Sequence, residues 1–204
     1  MFKSNMLRLV EQHVLELFSK KSDSENIYHN LLHTTEVVDI SEKIADEENL
    51  SDEDKEILLI AGWFHDTGYF HCCNGHEHES AEFANEFLSK ENYPKEKLER
   101  VVSCIKATRI PHEPKNKIEQ IICDADLQHL GMTDIEERGK ILREEFEVKG
   151  IKKFDDIEWL KSSIDFFSRH KFFTDYAIKT FGEQKIINQK QMEAKLKLLE
   201  STSK

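Results

Sequence analysis

The segment from Ile57 to Phe64 is apolar on almost every face, and His65 and Asp66 follow it directly. A helix that is apolar all round must be buried, so the rest of the chain has to pack around it. Neighbouring side chains on a regular helix diverge by about 100°, so an imidazole and a carboxylate in succession converge on one ion only where the helix ends. Gly68 is placed to supply that end. The segment predicts a buried central helix with a metal site at its C-terminal end, although a lone His-Asp pair is more often a capped polar terminus.

Few helix-breaking residues interrupt the chain, which has three prolines and seven glycines among 204 residues. Stretches rich in Glu, Lys and Leu favour helices, and 34% of the residues are charged. No Pro-, Gly- or Ser-rich linker divides the chain. The composition predicts an all-α protein that forms a single domain over residues 1–204. The central helix before His65 would place the metal site at the centre of this helical bundle.

The formal net charge of −11 excludes broad contact with a phosphate backbone, so a long nucleic acid is not expected as a partner. A small anionic substrate remains compatible, because a metal ion and a few cations can reverse the potential of one pocket. No Cys-x-x-Cys spacing occurs among the four cysteines, which predicts reduced thiols. Lys3, Asn5 and Arg8 interrupt the first ten residues, and no apolar run approaches membrane length. We expect a cytoplasmic protein without a membrane partner.

Two polar residues outside the central helix, His33 and Asp126, lie on apolar helical rows. Asp124, by contrast, has a glutamine four residues before it and another four residues after it. A polar side chain on a core-facing row is costly unless it is paired, so His33 and Asp126 are predicted metal ligands. Asp124 is predicted to lie at a polar edge, behind the ligands or in solvent. The rows are completed by Val37, Ile40 and Ile44 for His33 and by Ile118, Ile122 and Leu130 for Asp126.

Signals for the remaining helices are local. Helical spacing indicates a first amphipathic helix that ends near the polar segment 19–26 and that packs His13 on its apolar face. Ser51 or Asp52 can cap the central helix, and Pro94 opens another helix. From Thr133 onward the spacing predicts supporting helices. A thin stripe in the polar tail could pack on the body or on a second subunit, so a homo-oligomer stays open; it consists of Met192, Leu196 and Leu199.

The ligand candidates His33, His65, Asp66 and Asp126 follow one another in a recognisable order. A histidine on one helix, a His-Asp doublet at the end of the next and a distant aspartate resemble the HD-domain metal-dependent phosphohydrolases. The resemblance is strongest to small stand-alone bacterial HD phosphohydrolases. It covers residues 27–145 and leaves 146–204 as helical C-terminal support. The surrounding residues that carry it are Tyr28-His29-Asn30, Trp63-Phe64 and Asp124-Ala125-Asp126-Leu127.

This resemblance implies a hydrolase of phosphomonoester or phosphodiester bonds in a nucleotide or related small molecule. It implies one or two divalent ions, Mn, Mg, Co, Fe or Zn, and two imidazoles with two carboxylates suit such a cation. Asp66 is expected to bridge two ions and so to take part in catalysis, with His76 and His112 completing the second site. The alternative is that His76 and His112 are loop histidines that contact substrate phosphate or have no ligand role. Lys106 and Arg109, at the end of one helix, are the candidates for binding substrate phosphate, although solvated surface charge explains them equally well.

Some relatives carry a glutamate a few positions after the doublet, where this chain has Gly68 and Tyr69. Glu77 or Glu79 could replace that carboxylate, or could simply balance the dipole of the helix they begin. Two other functions remain open under the same resemblance. One is a di-iron oxygenase of the HD type, and the other is a non-catalytic nucleotide-binding module in signalling.

Overall fold

The computed structural model describes residues 4–20 and 25–202. Within these ranges the chain is helical and has no strand, so the all-α prediction is confirmed. None of the helices in the described part has the length and apolar character needed to cross a bilayer. The α-helices are α1 (Asn5–Lys20), α2 (Leu31–Glu47), α3 (Asp52–Phe64), α4 (His76–Lys90), α5 (Lys95–Ala107), α6 (Lys117–Asp126), α7 (Ile135–Val148), α8 (Asp156–Arg169) and α9 (Asp175–Thr202), and the 3-10 helices are Thr67–Phe70 and Gln128–Gly131.

The chain forms two compact units, one up to Asp126 and the other from Leu127 onward. The first unit contains α1 to α6 and every predicted ligand. The expectation of a single domain over residues 1–204 stays a prediction. The polar segment expected at 19–26 lies partly outside the described residues, since 21–24 are not among them.

Helix α3 is the centre of the first unit, as predicted. The Ser51 hydroxyl accepts a hydrogen bond from the backbone N–H of Asp54 and caps its N-terminus. Every residue from Ile57 to Phe64 is buried. Helices α1, α2, α4, α5 and α6 all pack against α3. The predicted first-helix histidine also packs as expected, since the His13 ring stacks on Phe87 with centroids 4.2 Å apart.

The end of α3 differs from the sequence interpretation. The helix ends at Phe64, where the Thr67 hydroxyl donates to the Phe64 carbonyl at 2.8 Å, and Asp66 leaves helical geometry with φ −108° and ψ 4°. Gly68 does not have the positive φ of a terminating glycine. It is required for another reason, because a Cβ built there would lie 2.0 Å from the His76 carbonyl oxygen. The prediction that Gly68 ends the helix was therefore wrong.

The second unit contains α7 to α9 and has its own small core. Met192 packs against a cluster of Leu127, Leu130 and Phe167, so the tail stripe reaches the body of this unit at that residue. Buried Asn188 donates two hydrogen bonds of 2.8 Å, one to the carbonyl of Leu130 and one to that of Met132. These contacts fix α9 to the 3-10 helix that opens the unit.

Candidate metal centre

The four predicted ligands of the first ion converge in the first unit. His33 lies in the first turn of α2, where the Asn30 side chain accepts from its backbone N–H and caps the helix. His65 and Asp66 follow the last residue of α3, and Asp126 is the last residue of α6. Three helix ends therefore deliver the four side chains to one place.

The donor atoms have the spacing of a coordination shell. His33 Nε2 lies 3.3 Å from Asp66 Oδ2 and 3.2 Å from Asp126 Oδ1, while His65 Nε2 lies 3.2 Å and 3.8 Å from the same two oxygens. The two Nε2 atoms are 3.4 Å apart. Ligands at about 2.0 to 2.2 Å from a divalent ion are themselves about 3 to 3.5 Å apart. His33, His65 and Asp66 can hold a metal ion together, each offering one atom within 4.8 Å of the others.

The orientation of His65 is fixed from behind. Its Nδ1 donates to the Gly62 carbonyl at 2.8 Å, which leaves the Nε2 lone pair directed at the carboxylates. A backbone acceptor on the far nitrogen is the usual support for a metal-binding imidazole, because it sets both tautomer and ring angle. His65 is fully buried, so its Nε2 needs either a proton or a metal ion between it and the carboxylates.

The histidines and aspartates of the cluster shift one another's pKa values. Burial opposes the protonated form of His33, but the Asp126 and Asp66 carboxylates outweigh it and raise its pKa to about 10. The same balance, led by Asp66, raises the pKa of His65. Burial disfavours the ionised carboxylates, yet the surrounding histidines hold the pKa of Asp66 well below its usual range and lower that of Asp126 to about 2. The site therefore favours two carboxylate anions with positive charge beside them.

A second group of donors begins at the other oxygen of Asp66. His76 Nε2 lies 3.4 Å from Asp66 Oδ1, whereas Oδ2 faces the first cluster. The Nδ1 atom of His76 bonds the Cys73 carbonyl at 3.0 Å, which directs Nε2 toward the carboxylate. Burial opposes protonation of His76, but Asp66 raises its pKa to about 9. Asp66 thus lies between two sets of imidazoles.

His112 approaches from the segment between α5 and α6. Its Nε2 bonds the Thr108 carbonyl at 3.1 Å, so that Nδ1 carries the lone pair of the neutral ring. That Nδ1 atom is buried and has no hydrogen-bond partner among the described residues. Burial lowers the pKa of His112, while the Asp126 and Glu77 carboxylates act on it in the opposite sense. Burial therefore favours the neutral ring, whose Nδ1 lone pair has no hydrogen-bond donor opposite it among the described residues.

The two aspartates near the end of α6 separate differently from the prediction. Asp124 is fully buried, whereas the Asp126 side chain is 15% exposed. The solvent-exposed alternative for Asp124 was wrong, because both Asp124 and the glutamine at 128 that indicated a polar edge are buried. A position behind the ligands stays a prediction. Direction distinguishes the two residues, since Asp126 Oδ1 reaches His33 and His65.

The remaining predicted residues are less enclosed. Lys106 and Arg109 are both exposed at the C-terminal end of α5, and neither forms an ion pair with any described residue. Glu77 and Glu79 both occupy the first turn of α4 but diverge. The Glu77 side chain is 12% exposed and lies 3.8 Å from His76 Nε2, while Glu79 is 39% exposed and faces His71.

One feature beside the site was not predicted. The Tyr69 ring stacks on His29 with centroids 3.8 Å apart and an interplanar angle of 12°, and it lies 4.0 Å from the His76 ring. Tyr69 therefore contacts His76, the imidazole next to the second oxygen of Asp66. The only sequence signal was the position of Tyr69 three residues after Asp66, since no periodicity links it to His29 or His76.

Over the described residues, fold and site together define an all-helical protein with a buried group of histidines and an aspartate, His33, His65 and Asp66, that could hold a metal ion. A family model described as HD domain matches residues 30–131, which are 102 of the 204 residues. The chain belongs to the HD domain family. Membership of this family indicates that the chain is part of a superfamily of metal-dependent hydrolases. Comparison with curated proteins and with solved structures finds no match. The resemblance noted in the sequence is confirmed by the family match, and its expected extent of 27–145 contains the matched range.

Proposed function

We propose that this protein is a metal-dependent hydrolase of phosphomonoester or phosphodiester bonds in a nucleotide or a related small molecule. The observation that carries the proposal is the position of Asp66, whose Oδ2 faces His33 and His65 while Oδ1 faces His76. A carboxylate shared in this way is suited to bridging two cations. Membership of the HD domain family supports the same class of reaction.

The donor chemistry fits divalent ions. His33, His65, Asp66 and Asp126 would hold one ion, and Asp66, His76 and His112 would contribute to a second. Imidazole nitrogens with carboxylate oxygens suit Mn, Fe, Co or Zn, and Mg is compatible with the oxygens. When bound, such ions supply Lewis-acid charge that activates a water molecule and stabilises phosphoryl oxygens.

The chain's own residues contribute orientation. The Gly62 and Cys73 carbonyls hold the tautomers of His65 and His76, so their Nε2 lone pairs need no rearrangement when a cation arrives. Burial of Asp66 keeps its carboxylate out of bulk water and strengthens its interaction with positive charge. A site preorganised in this way stabilises charge that develops during phosphoryl transfer.

The substrate class follows from charge and access. The net charge of −11 disfavours a long polyanion, whereas a single phosphate group can be compensated locally. Lys106 and Arg109 are exposed cations at the end of α5, only a few residues before His112. Arg109 can offer two parallel donors to a phosphate and Lys106 a point charge. We propose these two as the substrate-binding cations.

The test is hydrolysis by the purified protein, loaded with Mn, of generic phosphoesters and a panel of nucleotides. We expect turnover in the wild type and background rates in Asp126→Ala, which should also lose bound metal because a buried ligand is gone. Asp39→Ala, an exposed aspartate on α2, is the matched control and should retain both. Wild-type turnover and metal content in Asp126→Ala would overturn the proposal. Dioxygen uptake by an iron-loaded sample without phosphoester turnover would instead favour the oxygenase.

A further inference from the structure

Glu77 is a nearly buried carboxylate at the start of α4, next to His76. We propose that Glu77 supplies an oxygen ligand to the second ion, in addition to Asp66, His76 and His112. The inference rests on the two-ion site of the proposed function and extends it by one residue. It gives both ions the same kind of donor set, two imidazole nitrogens and two carboxylate oxygens.

Two carboxylate oxygens lie near the Nε2 atom of His76. This atom lies 3.4 Å from Asp66 Oδ1 and 3.8 Å from Glu77 Oε1. Because Nδ1 donates to the Cys73 carbonyl, Nε2 is the ring nitrogen that faces both carboxylates. Two carboxylate oxygens this close to one nitrogen repel each other unless positive charge lies between them. A proton on Nε2 supplies that charge without metal, and a divalent ion held by the two oxygens and the Nε2 lone pair would supply it in the loaded protein.

His112 provides an independent second observation. Its Nδ1 is buried and unpartnered among the described residues, while Nε2 is committed to the Thr108 carbonyl. A buried acceptor without a partner is costly, so its retention requires a compensating ligand. The charge of Glu77 reaches this ring together with that of Asp126. Glu77 is therefore 3.8 Å from the His76 ring and close enough to His112 for its charge to act on that ring.

The alternative is that Glu77 merely balances the dipole of α4. A carboxylate can do so from the exposed surface, and Glu79 in the same turn is 39% exposed and available for it. Glu77 is 12% exposed, and His76 is the only basic group within ion-pair distance of it in the described part. Burying a carboxylate beside a buried aspartate is unfavourable without positive charge. The dipole accounts for the position of Glu77 in the sequence but not for its burial.

The experiment measures metal binding directly. Metal-free protein is titrated with Mn²⁺ by calorimetry, and bound metal is counted by elemental analysis in the wild type, Glu77→Gln, Glu77→Asp and Glu79→Gln. We expect two ions in the wild type and in Glu79→Gln. Glu77→Gln should keep one ion and bind the second at least about tenfold more weakly. Electron paramagnetic resonance should detect spin coupling between two Mn²⁺ ions in the wild type. At the same Mn²⁺ concentration this coupling should be absent from Glu77→Gln.

Glu77→Asp separates the two roles of the carboxylate. Aspartate keeps the charge at the helix N-terminus but withdraws the oxygen by one methylene group. If Glu77 is a ligand, Glu77→Asp should bind the second ion more weakly. If Glu77 only balances the helix dipole, the affinity for the second ion should not change. Wild-type affinity for both ions in Glu77→Gln and Glu77→Asp would overturn the inference while leaving the proposed function intact. A single ion in the wild type would overturn the two-ion site and this inference with it. Neither result depends on turnover, which the Asp126→Ala experiment tests separately.

Discussion

At the scale of single residues, three histidines share one arrangement. His65, His76 and His112 each commit one ring nitrogen to a backbone carbonyl, at 2.8, 3.0 and 3.1 Å respectively. The other nitrogen is thereby left as a lone-pair donor, Nε2 in the first two and Nδ1 in His112. Tautomers fixed by the backbone are typical of imidazoles that bind metals. The side chains are therefore oriented before any ion arrives.

Lys106→Ala and Arg109→Ala test the proposed phosphate contacts. Each loses a charge-assisted hydrogen bond, and we expect kcat/KM to fall by about tenfold or more, because such bonds contribute about 1.5 to 3 kcal/mol. Metal content should not change, since neither residue is placed among the ligands. Lys95→Ala, at the opposite end of α5, is the control. Unchanged kinetics in both variants would return these cations to solvated surface.

At the scale of elements, the 3-10 helix Thr67–Phe70 connects the two groups of donors. The Ser80 hydroxyl of α4 accepts a hydrogen bond of 2.8 Å from the backbone N–H of Gly68. The same glycine lets the first turn of α4 approach closely enough to place His76 against Asp66. Tyr69, next in the chain, contacts the ring of His76. The start of α4 is thus positioned by backbone contact with the segment that follows the His-Asp pair.

Gly68→Ala tests this docking. A Cβ at 2.0 Å from the His76 carbonyl forces the start of α4 to move, and overpacking of this kind costs about 1 to 3 kcal/mol. We expect a lower Tm and a weaker second ion, with the first ion less affected, measured by thermal unfolding and Mn²⁺ titration. Gly182→Ala is the control, because a Cβ there meets no atom within 4 Å. It should be neutral or stabilising. Equal metal binding in the two variants would contradict the docking role.

At the scale of the whole molecule, the proposed metal centre would join distant parts of the first unit. Its proposed donors come from α2, the end of α3, the start of α4, the segment before α6 and the end of α6. Bound metal would therefore tie residues from His33 to Asp126 together. An ion that binds only the folded unit shifts the unfolding equilibrium toward that unit.

Metal removal should consequently lower the thermal stability of the first unit. Mn²⁺ at 100 times its Kd stabilises the folded state by about 2.7 kcal/mol. For a chain of this size the loss of that amount lowers Tm by about 5 to 10 °C. Calorimetry of chelator-treated and Mn²⁺-loaded protein measures the difference, and separate transitions would show the two compact units unfolding independently. Asp126→Ala should respond little to Mn²⁺. The same Tm with and without metal in the wild type would refute a bound ion.

The sequence by itself determined much of the fold and the core of the site. Apolar periodicity and local caps predicted α3, its burial and an N-cap at Ser51 or Asp52, of which the structure has Ser51, because these features depend on interactions within a few residues. The ligands of the first ion could also be predicted from the sequence. His33 and Asp126 each interrupt an apolar row, and a polar residue on a core face needs a partner.

Tertiary structure decided the points that depend on contacts between helices. Periodicity placed Asp124 at a polar edge, but packing buries it, since a helical face is defined only relative to its own axis. Glu77 and Glu79 read alike as first-turn glutamates, and only the docking of α4 turns Glu77 toward His76. The need for Gly68 was equally hidden, because the atom that forbids a side chain there belongs to His76, eight residues away. Sequence spacing predicts the direction of a side chain relative to its own helix axis. A metal site depends on the distances between side chains of several helices, which only the tertiary structure sets.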